Sequence, residues 1–146
     1  MKDFYQVSLK LFLKNTKGET LILGALPMGS YTGYYDVPGG RILDTEFRIP
    51  LVDIVKRELK EECDVTDVTI KEKPVAVGRH LVPAVQTRLN RDIHVLYLFF
   101  EATLNSGEIT ISKEHTSFEW VDLKSLDIEK YFKSGILEGV KMYLGR

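Results

Sequence analysis

At 146 residues the chain has the length of one domain built on a single core. Hydrophobic content of 44% and charged content of 28% are ordinary for a globular protein, and a net charge of -1 gives no electrostatic case for a nucleic-acid polymer or an anionic membrane as partner. The one cysteine, Cys63, excludes an internal disulfide, and no apolar run reaches membrane-spanning length, so the expected address is cytoplasmic.

Val7 to Lys14 reads as a strand, with Val7, Leu9, Leu11 and Leu13 on one face and Phe12 on the other. Asn15-Thr16-Lys17-Gly18 is a turn signal, and Thr20 to Leu26 reads as a second strand, which predicts a hairpin. Met28 to Gly33 is a loop of small residues. Tyr34 to Arg41, YYDVPGGR, follows; its pair Gly39-Gly40 permits positive φ and close backbone approach, as a pyrophosphate-binding loop requires.

The pattern changes at Pro50, which suits a first helical turn, and a helix is expected from there to Cys63. On a wheel of about 100° per residue, Leu51, Val52, Val55, Leu59 and Cys63 share one arc, while Asp53, Lys56 and Lys60 lie opposite. Glu58 and Glu62 fall inside the apolar arc, and Glu61 lies at its edge. An unpaired buried carboxylate is costly, so Glu58 and Glu62 are expected to face a cation. Glu58, Glu61 and Glu62 stand at i, i+3 and i+4, a spacing that gathers oxygens on one side of a helix. Hard oxygen donors suit Mg²⁺ or Mn²⁺.

Gly40, five residues, Glu46, and then Arg57-Glu58-Leu59-Lys60-Glu61-Glu62 followed by Asp64-Val65 resembles the Nudix box, G-x5-E-x7-R-E-U-x-E-E-x-G-U. Two departures stand out: ten residues separate Glu46 from Arg57 instead of seven, and Asp64 replaces a glycine. The resemblance implies an α/β/α sandwich with a mixed sheet, one domain over residues 1–146. It also implies a divalent-metal hydrolase acting on a nucleoside diphosphate linked to another moiety. In that reading Glu58, Glu61 and Glu62 hold Mg²⁺ (or Mn²⁺), Gly39 and Gly40 approach the substrate, and Arg57 pairs with Glu46. The expected partner is a small nucleotide, with a homodimer left open. A non-catalytic nucleotide-binding module on the same fold is the alternative. Many relatives end the second strand in a basic residue near the phosphates; Gly24-Ala25-Leu26-Pro27 offers none.

Val68 to Val82 carries a broken strand pattern that includes Arg79 and His80, and Pro83 to Asp92 reads as a long loop with Arg88 and Arg91. These four are candidate phosphate or sugar contacts, against the reading that they are solvated. Ile93 to Leu104 is a central buried strand, in which His94 is a core or strand-end histidine. A short strand is expected at Gly107 to Ile111, a loop at Ser112 to His115, and a strand at Ser117 to Val121. Glu114 resembles the loop position that supplies a further metal ligand or a base, with Glu119 and Glu101 behind it and His115 as a further candidate. The base stays open between Glu61, Glu114 and a box ligand. A helix over Gly135 to Leu144 with Ser134 as N-cap ends the chain. Tyr31, Tyr34 and Tyr35 are available to stack a base or to anchor their loop.

Overall fold

The computed structural model describes residues 1–146. Its strands are β1 (Tyr5–Lys14), β2 (Thr20–Ala25), β3 (Tyr35–Asp36), β4 (Gly39–Arg41), β5 (Val68–Ile70), β6 (Ala76–Val82), β7 (Ile93–Leu104) and β8 (His115–Val121). Its helices are α1 (Leu51–Cys63), α2 (Ile128–Tyr131) and α3 (Ser134–Leu144).

β1 and β7 run parallel at the centre, with Tyr5 opposite His94 and Lys14 opposite Thr103. β7 is a nearly continuous apolar run because both faces of the sheet are covered there, whereas β1 interleaves Gln6, Ser8 and Lys10 with its apolar residues. β2 turns back from β1 through Asn15, whose side-chain oxygen accepts the N–H groups of Lys17 and Glu19, each at 3.0 Å. The other half of β1 pairs instead with β4, Leu9 lying opposite Gly40. β5 and β6 pair with opposite ends of β7, and β8 pairs with β2. All but the β1–β7 pair are antiparallel, so the sheet is mixed.

Alternation along β1 divides the core into two layers. Leu9, Leu11 and Leu13 face α1 and pack with Ile54, Val55, Leu59 and Cys63. Phe12 faces α3 with Phe99, Phe132, Ile136 and Val140. The result is the expected α/β/α sandwich. No helix is long and apolar enough to cross a membrane.

Several local expectations change. Pro50 occupies the N-cap position of α1 rather than its first turn. The stretch Val68 to Val82 is two strands, and the expected strand at Gly107 to Ile111 is absent. Its backbone turns to α1 instead: Thr110 N–H donates to the Cys63 carbonyl and Ser112 N–H to the Glu62 carbonyl, each at 3.0 Å, satisfying carbonyls that the helix end leaves unpaired. Asp64, just past that end, adopts left-handed geometry (φ 56°, ψ 38°) and pairs with Lys60. His115 begins β8 rather than closing the loop before it. Ser134 is not an N-cap: Lys133 holds that position, and Ser134 Oγ lies 2.7 Å from His80 Nδ1.

Candidate active site

The apolar side of α1 drops into the core, and this carries two acids inside with it. Glu58 is 9% exposed and Glu62 4%, while Glu61 lies on the surface. Both buried carboxylates face β4. Gly39 N–H donates to Glu62 Oε2 at 2.6 Å. A side chain on Gly40 would overlap the Glu58 carboxylate, so glycine is what lets this strand approach the helix. Burial pushes the Glu62 carboxyl up to about 8; the charges of Asp36 and Glu58 add to this, while Lys10 and the Gly39 N–H oppose it. Burial raises Glu58 too, with Glu61 and Glu114 adding and Arg57 opposing.

Arg57 ties the acids together. Its Nε and Nη2 each reach a Glu46 oxygen at 2.8 Å, a two-pronged contact that a planar guanidinium favours. Nη2 also lies 3.0 Å from Glu58 Oε1, and Nη1 lies 3.1 Å from Glu61 Oε2. Glu46 in turn accepts the Leu43 N–H at 2.8 Å, and Arg57 holds its carboxyl below the usual range. The ten-residue connection passes outward between them, leaving Phe47 and Ile49 exposed.

The four acids expected to share a metal do not form one group. No three His, Cys, Asp or Glu side chains are grouped around one point in this structure: Arg57 contacts an oxygen of Glu58 and one of Glu61, and Glu62 accepts the Gly39 N–H. Glu114 is exposed, yet close enough for its charge to act on Glu58. In kind the set fits a hard divalent cation: oxygen donors, two of them buried, raised in part by mutual repulsion that a cation would relieve.

Beyond Gly40 a cleft of about 330 Å³ opens over the sheet, lined by Lys10, Asp36, Arg41, His80, Tyr31 and Tyr97 among others. Lys10 Nζ lies 3.1 and 3.0 Å from the two Asp36 oxygens. Tyr31 and Tyr97 hydroxyls meet at 3.0 Å, and the His80 ring packs on Tyr31 with centroids 4.9 Å apart. His80 Nε2 is buried without a hydrogen-bond partner. Of the aromatic candidates Tyr31 reaches the cleft, whereas Tyr35 packs on Tyr131 and Tyr34 lies beneath Lys133.

Other expected contacts fall elsewhere. Arg79 lies on the outward face of β6, since strand alternation turns His80 inward, so it does not line this cleft. Arg88 is exposed on the 83–92 loop, where Gln86 is the residue that reaches the cleft. Arg91 borders a separate hollow beside Met1 and Phe4. Glu101 is held by Lys14, Lys71 and Tyr143 and faces none of the other acids. Glu119 is exposed on β8, opposite Ile22. His115 is half-buried, its Nδ1 unpartnered, near Asp36, Lys10 and Glu114. His94 sits at a strand end, 2.5 Å from Asp3. The sequence reading missed Lys10, Asp36 and Arg41. A lysine between Leu9 and Leu11, inside a strand, was the available signal.

No family model matches the sequence, and no curated protein does. Solved structures do match over nearly the whole chain. A MutT protein from Methanosarcina mazei Go1 superposes with a TM-score of 0.73 at 19% identity, covering 99% of this chain and 96% of that one. The Escherichia coli dihydroneopterin triphosphate pyrophosphohydrolase gives 0.71 at 14% identity, covering 97% of each. The NUDIX domain of Shewanella oneidensis NrtR, solved with ADP ribose, gives 0.68 at 14% identity, covering 99% and 90%. The chain therefore has the fold shared by Nudix and MutT proteins.

Proposed function

We propose that this protein is a divalent-cation-dependent hydrolase that cleaves a phosphoanhydride in a nucleoside diphosphate linked to another moiety. The observation that carries the reading is the pair of buried carboxylates, Glu58 and Glu62, set against the backbone of Gly39 and Gly40. Burying two acids one helical turn apart is unfavourable unless a cation compensates them. The names of solved structures with this fold, a pyrophosphohydrolase and an Ap4A hydrolase among them, support the same class of reaction.

Glu58 and Glu62, with Glu61 and Glu114 as further donors, would hold Mg²⁺ or Mn²⁺. Such an ion neutralises charge on the diphosphate and lowers the pKa of attacking water. The protein's own groups do the rest. Gly39 and Gly40 let the substrate backbone lie against β4. Arg57 holds the carboxylates of Glu58 and Glu61 in fixed orientation, and Glu46 fixes Arg57. A carboxylate, Glu61, Glu114 or a box ligand, accepts the proton of the water. Tyr31 and His80 offer a ring surface for the nucleoside.

One observation favours the non-catalytic alternative: Arg57 already compensates Glu58 and Glu61, as in a module that binds nucleotides without cleaving them. Incubation with nucleoside triphosphates, nucleotide sugars, ADP-ribose and diadenosine polyphosphates in Mg²⁺, read by product masses, separates the two. Hydrolysis of a panel member supports the enzyme; tight binding with no phosphate-containing product overturns it.

A further inference from the structure

The ten-residue connection from Glu46 to Arg57 builds a surface that the candidate site does not use. From Leu43 to Leu51 every residue except Glu46 is exposed. Phe47 is 89% exposed, Leu43 53%, Ile49 45% and Leu51 38%. Backbone bonds hold this stretch in place. Leu43 and Phe47 flank a short 3₁₀ turn at Asp44–Glu46, the Glu46 N–H donates to the Leu43 carbonyl at 2.9 Å, and the Ile49 N–H donates to the Glu46 carbonyl at 3.0 Å. Glu46 alone points inward, where Arg57 grips both of its oxygens. That grip anchors the turn while its apolar side chains stay outside.

Four large apolar side chains at such exposure present roughly 400 Å² of apolar surface, a scale at which a patch marks an interaction site. Their exposed polar neighbours bring the area toward the ~800 Å² that each partner gives to a standard interface. The charges of the patch identify the occupant. Asp44 and Arg48 are both exposed, and neither enters any ion pair of the molecule. One acid and one base cancel, so nothing here attracts an anionic lipid surface, which calls for a cluster of lysines and arginines. The order of side chains is instead complementary to itself. Read outward from Glu46, one arm of the turn carries Thr45, Asp44 and Leu43, and the other carries Phe47, Arg48 and Ile49. Acid stands against base and apolar against apolar at equal distances from the centre.

We propose that this connection is the interface of a homodimer, in which two copies of the chain meet about a two-fold axis passing near Glu46. In a two-fold interface each contact occurs twice, which is what the order of side chains allows. Leu43 meets the partner's Ile49, and Asp44 meets the partner's Arg48. Phe47 lies beside the axis, where a buried aromatic anchor contributes most. The proposal gives the longer connection a use of its own, and it stands whether the protein cleaves nucleotides or only binds them.

The test is sedimentation velocity of the whole chain from micromolar to submillimolar concentration. Wild type is expected to pass from monomer to dimer across this range. Phe47→Asp should weaken association by about tenfold or more. Phe4→Asp, at a phenylalanine that is 81% exposed on another segment, should leave it unchanged. Arg48→Glu and Asp44→Arg should each weaken the dimer by placing like charges together, and the double variant Asp44→Arg/Arg48→Glu should restore it. The side chains exchanged are exposed, and thermal melts of the variants confirm that each is folded. A wild type that stays monomeric throughout overturns the proposal; if that monomer sediments with phosphatidylglycerol vesicles, the patch belongs to a membrane. A dimer that is indifferent to Phe47→Asp, or single charge variants that the exchange does not rescue, also overturns it, since the contact then lies on another surface.

Discussion

Gly40 and Glu58 are packed so closely that a Cβ on the glycine would stand 2.5 Å from the Glu58 carboxyl carbon. Substitution by alanine must therefore displace the carboxylate, or part β4 from α1. Gly40→Ala should cost about 1–3 kcal/mol of stability and lower turnover by more than tenfold. Thermal melts alongside kcat check this, and the loss of turnover should persist at temperatures where the variant is fully folded.

Glu58→Gln and Glu62→Gln each replace a buried carboxyl group by a neutral amide of the same shape. Each should reduce Mg²⁺-dependent turnover by two orders of magnitude or more and leave the circular dichroism spectrum unchanged. Near-normal rates in either variant would remove that residue from the metal site.

The ionisation of Glu62 gives the metal-free protein a pH dependence with a definite sign. Its carboxyl is pushed up to about 8 by burial, against an ordinary value of 4.5. Between these values the unfolded chain has released the proton that the folded protein keeps. Stability therefore falls as pH rises through this window, by up to about 1.4 kcal/mol per pH unit. Urea denaturation in chelator should show this slope, and Glu62→Gln should flatten it. Mg²⁺ should flatten it too, since the ion favours the charged form.

The buried pair Lys10–Asp36 is predicted to matter more when half of it is lost than when all of it is. Asp36→Asn leaves the buried Lys10 ammonium without its nearest counter-charge and should destabilise by about 3 kcal/mol. The double variant Lys10→Met/Asp36→Leu should recover much of that loss. Denaturation midpoints of the three proteins compare them directly.

The helix carrying the acids was legible because its signal is local. Apolar spacing from Val52 to Cys63 fixes which way α1 faces, and that alone places Glu58 and Glu62 inside. The central strand Ile93–Leu104 was legible for the same reason, as one uninterrupted apolar run. The cleft was not. It depends on β1 pairing with β4 across some thirty residues of sequence and with β7 across about ninety, and no periodicity reports which strand lies beside which. Lys10, Asp36 and Arg41 become neighbours only through that pairing. Ser134 was misread for a related reason: its hydroxyl looks like a cap in sequence but serves a histidine fifty-four residues away. The expected strand at Gly107–Ile111 failed because the N–H of Thr110, and that of Ser112 just beyond, found helix carbonyls instead of a neighbouring strand.

Arg57 bears on the choice between enzyme and binding module, since it compensates Glu58 and Glu61 in this structure. Arg57→Lys keeps the charge but loses the two-pronged hold on Glu46. Turnover should fall by about tenfold with little change in Mg²⁺ affinity, because the acids keep a cation nearby but lose their fixed orientation. Unchanged kcat in this variant would make the Glu46–Arg57 contact purely architectural.

Titration of Mn²⁺ into the protein, followed by the loss of the free-ion electron paramagnetic resonance signal with a nucleotide present, reaches the central claim most directly. Saturable binding to wild type that disappears in Glu58→Gln/Glu62→Gln is the predicted result. Equal Mn²⁺ binding by the double variant, or none by wild type, would mean that arginine and lysine alone answer these buried acids.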